Sequence, residues 1–264
     1  MAKKNQLPTL AFQTYGSGSE ILLAFHGYGQ DHRVYEKFAT DLGGRYTVYS
    51  FDLFLHGNNP GLSAKQTVTI KAWQETIADF LAHHNIACFS LVGYSLGARF
   101  ALTLVALFAP QIQRLILIAP DGIKSNRWYQ MASGTWVGHR LLRYTVIRPQ
   151  LFFWILTKTL QLEMIEKSVV KFVEMHMNTR SKRFQVYTRW VVFRQIQPNL
   201  PEVIRACNSN QVRVDIFIGE YDSVVNTNAI IFFHKSLKSS FLHSLPCGHN
   251  GLIDEVGRHY VNCS

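Results

Sequence analysis

Long apolar runs are missing from this 264-residue chain. A membrane-spanning helix needs roughly 20 apolar residues in a row, and Leu151–Leu156 (LFFWIL) is far too short. Paired cysteines are missing too. Cys88, Cys207, Cys247 and Cys263 stand far apart and form no C-x-x-C pair, which argues against a zinc site and a disulfide framework. Reduced thiols are expected, with Cys88, inside an apolar run, in the core. The opening MAKKNQLPTL is basic but lacks the apolar segment of a secretory signal, so the expected location is cytoplasmic. Internal repeats and low-complexity tracts are also lacking. What remains is a globular composition, 47% hydrophobic and 17% charged, long enough to bury a sizeable core.

Negative charge is scarce in one place only. The chain carries 27 Lys+Arg against 17 Asp+Glu, a formal net charge of +10. Residues 121–205 hold 14 basic and 5 acidic side chains, whereas the remainder holds 13 and 12. This asymmetry predicts two parts with different tasks.

The apolar pattern divides the chain at the same place. Short runs predict strands over 10–14, 21–25, 46–51, 88–92, 114–119, 212–218 and 241–245. Helical spacing predicts helices over 34–42, 68–83, 96–108, 229–237 and 252–260. Runs such as ILLAF (21–25) and LILIA (115–119) lack polar alternation, as strands buried on both faces of a parallel sheet do. The expected class is α/β: an open, mostly parallel sheet flanked by helices, built from residues 1–120 and 206–264. Residues 121–205 are expected to be an inserted helical cap. Within it, Leu162, Ile165, Val169, Phe172 and Val173 recur at helical spacing. So do Phe184, Tyr187, Trp190, Val191 and Ile196, with Ser181 as the expected N-cap. Gly134, Gly138 and Pro149 are expected breaks.

The stretch LVGYSLGARF (91–100) carries the chemistry. Gly93-Tyr94-Ser95-Leu96-Gly97 matches G-x-S-x-G, with a strand before it and a helix after it. A nucleophile elbow needs that context: the serine sits on a strained turn, and small neighbours let backbones approach. The N–H of Leu96, at a helix N-terminus, is then placed to stabilise an oxyanion. A serine hydroxyl needs a base. Of 11 histidines, His249 in LPCGHNG follows the last strand, on the sheet edge where catalytic groups gather. Asp222, in GEYD (219–222), follows the preceding strand and is the expected carboxylate, with Asp121 as runner-up and Glu220 a loop carboxylate. The glycines of His26-Gly27-Tyr28-Gly29 allow the Tyr28 N–H to turn towards the serine as a second oxyanion donor, and His26 is expected to brace that loop.

Four pieces in this order, HGYG (26–29), GYSLG (93–97), GEYD (219–222) and GH (248–249), resemble the α/β-hydrolase fold superfamily. The resemblance covers roughly residues 9–120 and 206–262. It implies Ser95 as nucleophile, His249 as base and Asp222 as acid, with Leu96 and Tyr28 as oxyanion donors and no cofactor or metal. It also places a helical cap where 121–205 interrupts the pattern. One loop departs: FDLFLHGNNP (51–60) has Leu55 and Asn59 where the family's D-x-x-G-H-G-x-S has Gly and Ser. A serine at the elbow disfavours members with an aspartate nucleophile. It leaves hydrolysis of an ester or thioester as the first reading. Acyl transfer, C–C bond hydrolysis, perhydrolysis or a non-catalytic binding role stand behind it.

The expected partner is a small acyl substrate. The cap's aromatic residues, Trp128, Trp136, Phe152, Phe153, Trp154, Phe172 and Trp190 among them, pack its helices or line an apolar site. Its arginines, such as Arg140, Arg143 and Arg148, form a solvated face or meet an anionic membrane surface or substrate. No recognition motif accompanies the charge, so nucleic acid is not expected.

Overall fold

Seven strands lie in one sheet in the order β1-β3-β2-β4-β5-β6-β7 in the computed structural model, which describes residues 7–59, 61–63, 66–124, 134–150, 152–154, 158, 173 and 176–262. They are β1 (Phe12–Tyr15), β2 (Glu20–Phe25), β3 (Tyr46–Phe51), β4 (Phe89–Tyr94), β5 (Ile112–Ile118), β6 (Arg213–Gly219) and β7 (Ser240–Leu245). Only β1 runs antiparallel, pairing Phe12 with Phe51 of β3; the other neighbours are parallel. From β2 the chain goes first to β3 on one side and later to β4 on the other. At such a reversal open sheets hold their ligands beyond the carboxyl ends of the strands, here β2 and β4.

The chain divides into two compact units. The sheet unit comprises Met1–Gly61, Ile70–Lys124 and Ile196–Ser264. Its helices are α1 (Glu36–Asp41), α2 (Ile70–His83), α3 (Leu96–Phe108), α6 (Leu200–Ser209), α7 (Thr227–Lys235) and α8 (Leu252–Asn262). Strand alternation sends Leu22, Ala24, Val48, Val92, Ile116 and Phe217 to one face, where they pack with Phe38 of α1 and Leu252 and Val256 of α8. The opposite face is aromatic. Phe25 meets Trp73 of α2 edge-on at 5.3 Å, and Trp73 meets Phe100 of α3 at 5.2 Å. The Trp73 indole N–H, fully buried, donates to the Phe100 carbonyl at 3.2 Å, so its polar atom is satisfied.

The departing loop after β3 has its own chemistry. Asp52, fully buried, accepts from the backbone N–H groups of His32 and Asn58, both at 2.8 Å. Asn59, in the family's Ser position, donates its amide to the Asp52 carbonyl and accepts from the Ala11 N–H at 2.6 Å. Its longer side chain thereby ties the loop to the chain entering β1. Leu55, in the family's Gly position, has φ +64°, a left-handed conformation unfavourable for a branched side chain.

The second unit comprises Leu62–Thr69 and Ser125–Gln195. Here α4 (Trp136–Ile147) packs against α5 (Arg180–Val192). The Val68 N–H donates to the Val192 carbonyl at 2.9 Å, joining the short segment to the end of α5. By sequence this unit holds 13 Lys/Arg and 3 Asp/Glu, a net +10, and the sheet unit holds 14 of each. Among the described residues no helix is long and apolar enough to cross a membrane.

Several sequence expectations are corrected. Gly138 is not a break: it lies in the first turn of α4, buried, with its N–H capped by the Thr135 hydroxyl at 3.0 Å. The cap of α5 is Thr179, which accepts from the Lys182 N–H at 3.2 Å, so Ser181 falls inside the helix. Both threonines have extended backbone, the conformation an N-cap needs. Cys88 is exposed, because it precedes β4 and escapes the burial of that strand. Cys207 is the buried thiol, and burial pushes it up to about 12. His234 and His243 are half-buried, and His243 stacks on Phe217 at 4.6 Å. Pro149 does follow a break, at Arg148. The helix read over 162–173, apart from Val173, lies outside the described residues, as do Trp128 and Cys263.

Candidate active site

Ser95 stands between the end of β4 and the start of α3, at φ +49° and ψ −115°. Such a conformation costs on the order of 1–3 kcal/mol and persists only where its surroundings enforce it. Two backbone bonds do so. The Ser95 N–H donates to Ile118 at the end of β5 at 2.9 Å, and the Asp121 N–H donates back to the Ser95 carbonyl at 3.2 Å. The flanking glycines are needed for space. A Cβ on Gly97 would lie 1.9 Å from the Phe25 carbonyl oxygen and 2.7 Å from that of His26. A Cβ on Gly93 would lie 2.6 Å from the Ala98 Cα. The obstacles are main chain and cannot rotate away. Gly97→Ala is therefore expected to destabilise by more than the ~1–3 kcal/mol of ordinary overpacking, read as a lowered melting temperature. An unchanged melting temperature would mean that the turn and the end of β2 are not in contact.

His249 and Asp222 come from two loops held together by backbone. The Glu220 N–H donates to Leu245 at 2.9 Å and the Tyr221 N–H to Cys247 at 3.1 Å, so the turn after β6 lies along the turn after β7. Gly219 permits this: a Cβ there would lie 2.4 Å from the Cys247 carbonyl oxygen. Asp222 Oδ2 stands 2.7 Å from His249 Nδ1, and Asp222 Oδ1 accepts from the Val224 N–H at 2.7 Å. Burial pushes the Asp222 carboxyl up, but its hydrogen bond to His249, the imidazole's charge and the N–H groups of Val224 and Val225 outweigh that and hold it below the usual range. An ionised carboxylate only accepts, so Nδ1 carries the proton. Nε2 then faces Ser95 Oγ at 3.2 Å as an acceptor. The three side chains form one hydrogen-bonded line across three loops.

The other expected residues take definite places. Leu96 is the first residue of α3, where N–H groups have no intrahelical acceptor. Tyr28 lies in the turn after β2, the strand end that Gly97 abuts. His26 does brace that turn: fully buried, it accepts from the Leu53 N–H at Nε2, 3.0 Å, and its Nδ1 lies 2.7 Å from the Gly27 carbonyl. The runner-up Asp121 is not on the histidine, because its carboxylate pairs with Arg99. Glu220 is exposed in its loop.

One contributor was missed in the sequence. Tyr94 Oη donates to the His249 carbonyl at 2.8 Å, and its ring lies 5.2 Å from the imidazole. Burial, then the charge of Asp222 and of Cys247, raises the phenol's pKa, so it stays a donor. The only signal was an aromatic residue inside G-x-S-x-G.

The strand order, the sharp turn after β4 and the acid and histidine turns after β6 and β7 define the α/β-hydrolase fold. Residues 20–144 match the family described as alpha/beta hydrolase fold, and the chain has that fold. The fold is similar to that of a thermophilic esterase from Thermogutta terrifontis, over 96% of this chain and 91% of that one, with TM-score 0.67 and 16% identity. The sequence is 33% identical over 116 residues to an uncharacterized protein of Mycobacterium tuberculosis, 44% of this chain and 33% of that protein. It is 29% identical over 121 residues to pimeloyl-[acyl-carrier protein] methyl ester esterase of Chromobacterium violaceum, 45% of this chain and 44% of that enzyme. The chain thus spans less than half the length of these curated relatives.

Proposed function

We propose that the chain is a serine hydrolase that cleaves a carboxylic ester or thioester bearing an apolar group. The observation that carries this reading is the unbroken line Ser95 Oγ, His249 Nε2, His249 Nδ1, Asp222 Oδ2. Esterases among its relatives and structural neighbours point the same way.

In this mechanism Ser95 Oγ attacks the carbonyl carbon as His249 Nε2 takes its proton. Asp222 stabilises the imidazolium, and the N–H groups of Leu96 and Tyr28 hold the oxyanion. The carbonyl–oxygen or carbonyl–sulfur bond then breaks as His249 returns the proton to the leaving alcohol or thiol. Water, deprotonated by His249, attacks the acyl-enzyme and releases the acid. We assign the choice of acyl group to residues 121–205, acting as a cap.

A fluorophosphonate probe tests the reading. Peptide mapping should place the adduct on Ser95, and a panel of esters and thioesters of graded chain length should show turnover. Added alcohol acceptor separates hydrolysis from transfer. Absence of an adduct, or an adduct elsewhere, would sink the proposal.

Tyr94 serves as a positioning residue in the same reading. Tyr94→Phe keeps the ring but loses the bond to the His249 carbonyl, so kcat should fall up to about tenfold with KM little changed, the worth of one hydrogen bond. A change in KM alone would count against this role.

A further inference from the structure

Helix α4 (Trp136–Ile147) is apolar on two sides. Its inner side buries Leu142 and Val146 in a unit where it packs on α5. On the opposite side Trp136 is 73% and Leu141 61% exposed, and Val137, Tyr144 and Ile147 are exposed with them. At about 100° per residue these five share one arc; the exposed Arg140 falls within it and the exposed Arg143 borders it beside Trp136. The Arg140 guanidinium lies 5.4 Å over the Trp136 ring. No Asp or Glu occurs from residue 122 to residue 162.

A helix facing only water would carry charge, not large apolar groups, on that arc. A second copy of the chain is a poor occupant, since each copy would bring a net +10 unit and two arginines to the contact. Trp and Tyr are amphipathic rings suited to the boundary between headgroups and acyl chains, and Arg beside them suits phosphate.

We propose that α4 docks on an anionic phospholipid bilayer, with Trp136, Val137, Leu141, Tyr144 and Ile147 entering the headgroup boundary and Arg140 and Arg143 meeting lipid phosphates. This is surface attachment by a short amphipathic helix. The electrically neutral sheet unit contributes no net attraction. Binding therefore depends on the helical unit and weakens as salt screens it.

Flotation of the full chain tests this with vesicles of phosphatidylcholine alone and vesicles also containing phosphatidylglycerol. The protein should float only with the anionic vesicles at low salt, and release at high salt. The pairs Trp136→Ser with Leu141→Gln, and Arg140→Gln with Arg143→Gln, should each cut the bound fraction about tenfold. Both should keep the wild-type melting temperature. Vesicles should shift the tryptophan emission of the wild type to the blue, and Trp136→Phe should remove most of that shift. No flotation with anionic vesicles overturns the proposal. So does equal flotation by both paired variants, or a wild-type dimer that the Trp136/Leu141 pair makes monomeric. Binding of an acidic acyl carrier protein but not vesicles through these residues overturns it also. The vesicle readout needs no turnover, so it can fail while the hydrolase reading stands, and the reverse.

Discussion

Ser95→Ala should lower kcat/KM for a short p-nitrophenyl ester by about 10⁵–10⁶-fold, the loss expected when the nucleophile of a Ser-His-Asp site is removed. Fluorophosphonate labelling should disappear with it. The reason lies in how little else at the site can act. His249 Nε2 is directed at Ser95 Oγ, and its other nitrogen is committed to Asp222. Without the hydroxyl the imidazole can at best activate water, and the acyl-enzyme route is closed. Stability should move by no more than ~0.5 kcal/mol, as for substitutions away from the core. The strained turn is set by the Ile118 and Asp121 backbone bonds and by Gly97, not by the serine hydroxyl. The variant is therefore a clean probe: a folded Ser95→Ala protein with substantial turnover of the ester would move the chemistry elsewhere.

The sheet was legible because burial on both faces leaves a plain signal. Tyr46–Phe51 and Leu96–Phe108 fall where the apolar runs place them, and the remaining strands shift by a residue or two at their ends. The site residues were legible for a related reason. Each follows a strand with parallel neighbours, so sequence order already brings Ser95, Asp222 and His249 to one edge of a parallel sheet. What was illegible depends on contacts between distant segments. The antiparallel direction of β1 follows from its pairing with β3, which no local pattern encodes. Thr179 and Ser181 are both good capping residues, and the choice is made by where the backbone is extended. Gly138 reads as a breaker, but it is buried in the first turn of α4, where the Thr135 hydroxyl caps its N–H. Tyr94 could be noticed but not interpreted, since its partner is a carbonyl 155 residues away in sequence.

Asp222→Asn should be the next largest effect, a fall of about 10⁴-fold in kcat with the fold retained, the size of the same exchange in another Ser-His-Asp site. The 2.7 Å contact to Nδ1 is the cause. A carboxylate can only accept, which puts the proton on Nδ1 and leaves Nε2 free to take one from Ser95. An amide can donate instead, and the imidazole then carries its proton on Nε2, the wrong tautomer for a base. The same exchange gives a pH signature in stability. Because the folded Asp222 carboxyl lies below its ordinary value, its ionised form stabilises the fold above the unfolded pKa. That contribution is lost as pH falls through the folded value. The melting temperature of the wild type should exceed that of Asp222→Asn near neutral pH, and the gap should narrow in acid. Asp121→Asn, which removes the charge facing Arg99 instead, should leave kcat within a few-fold of wild type. If Asp121→Asn proved the more damaging of the two, Asp222 would not be the group that orients His249.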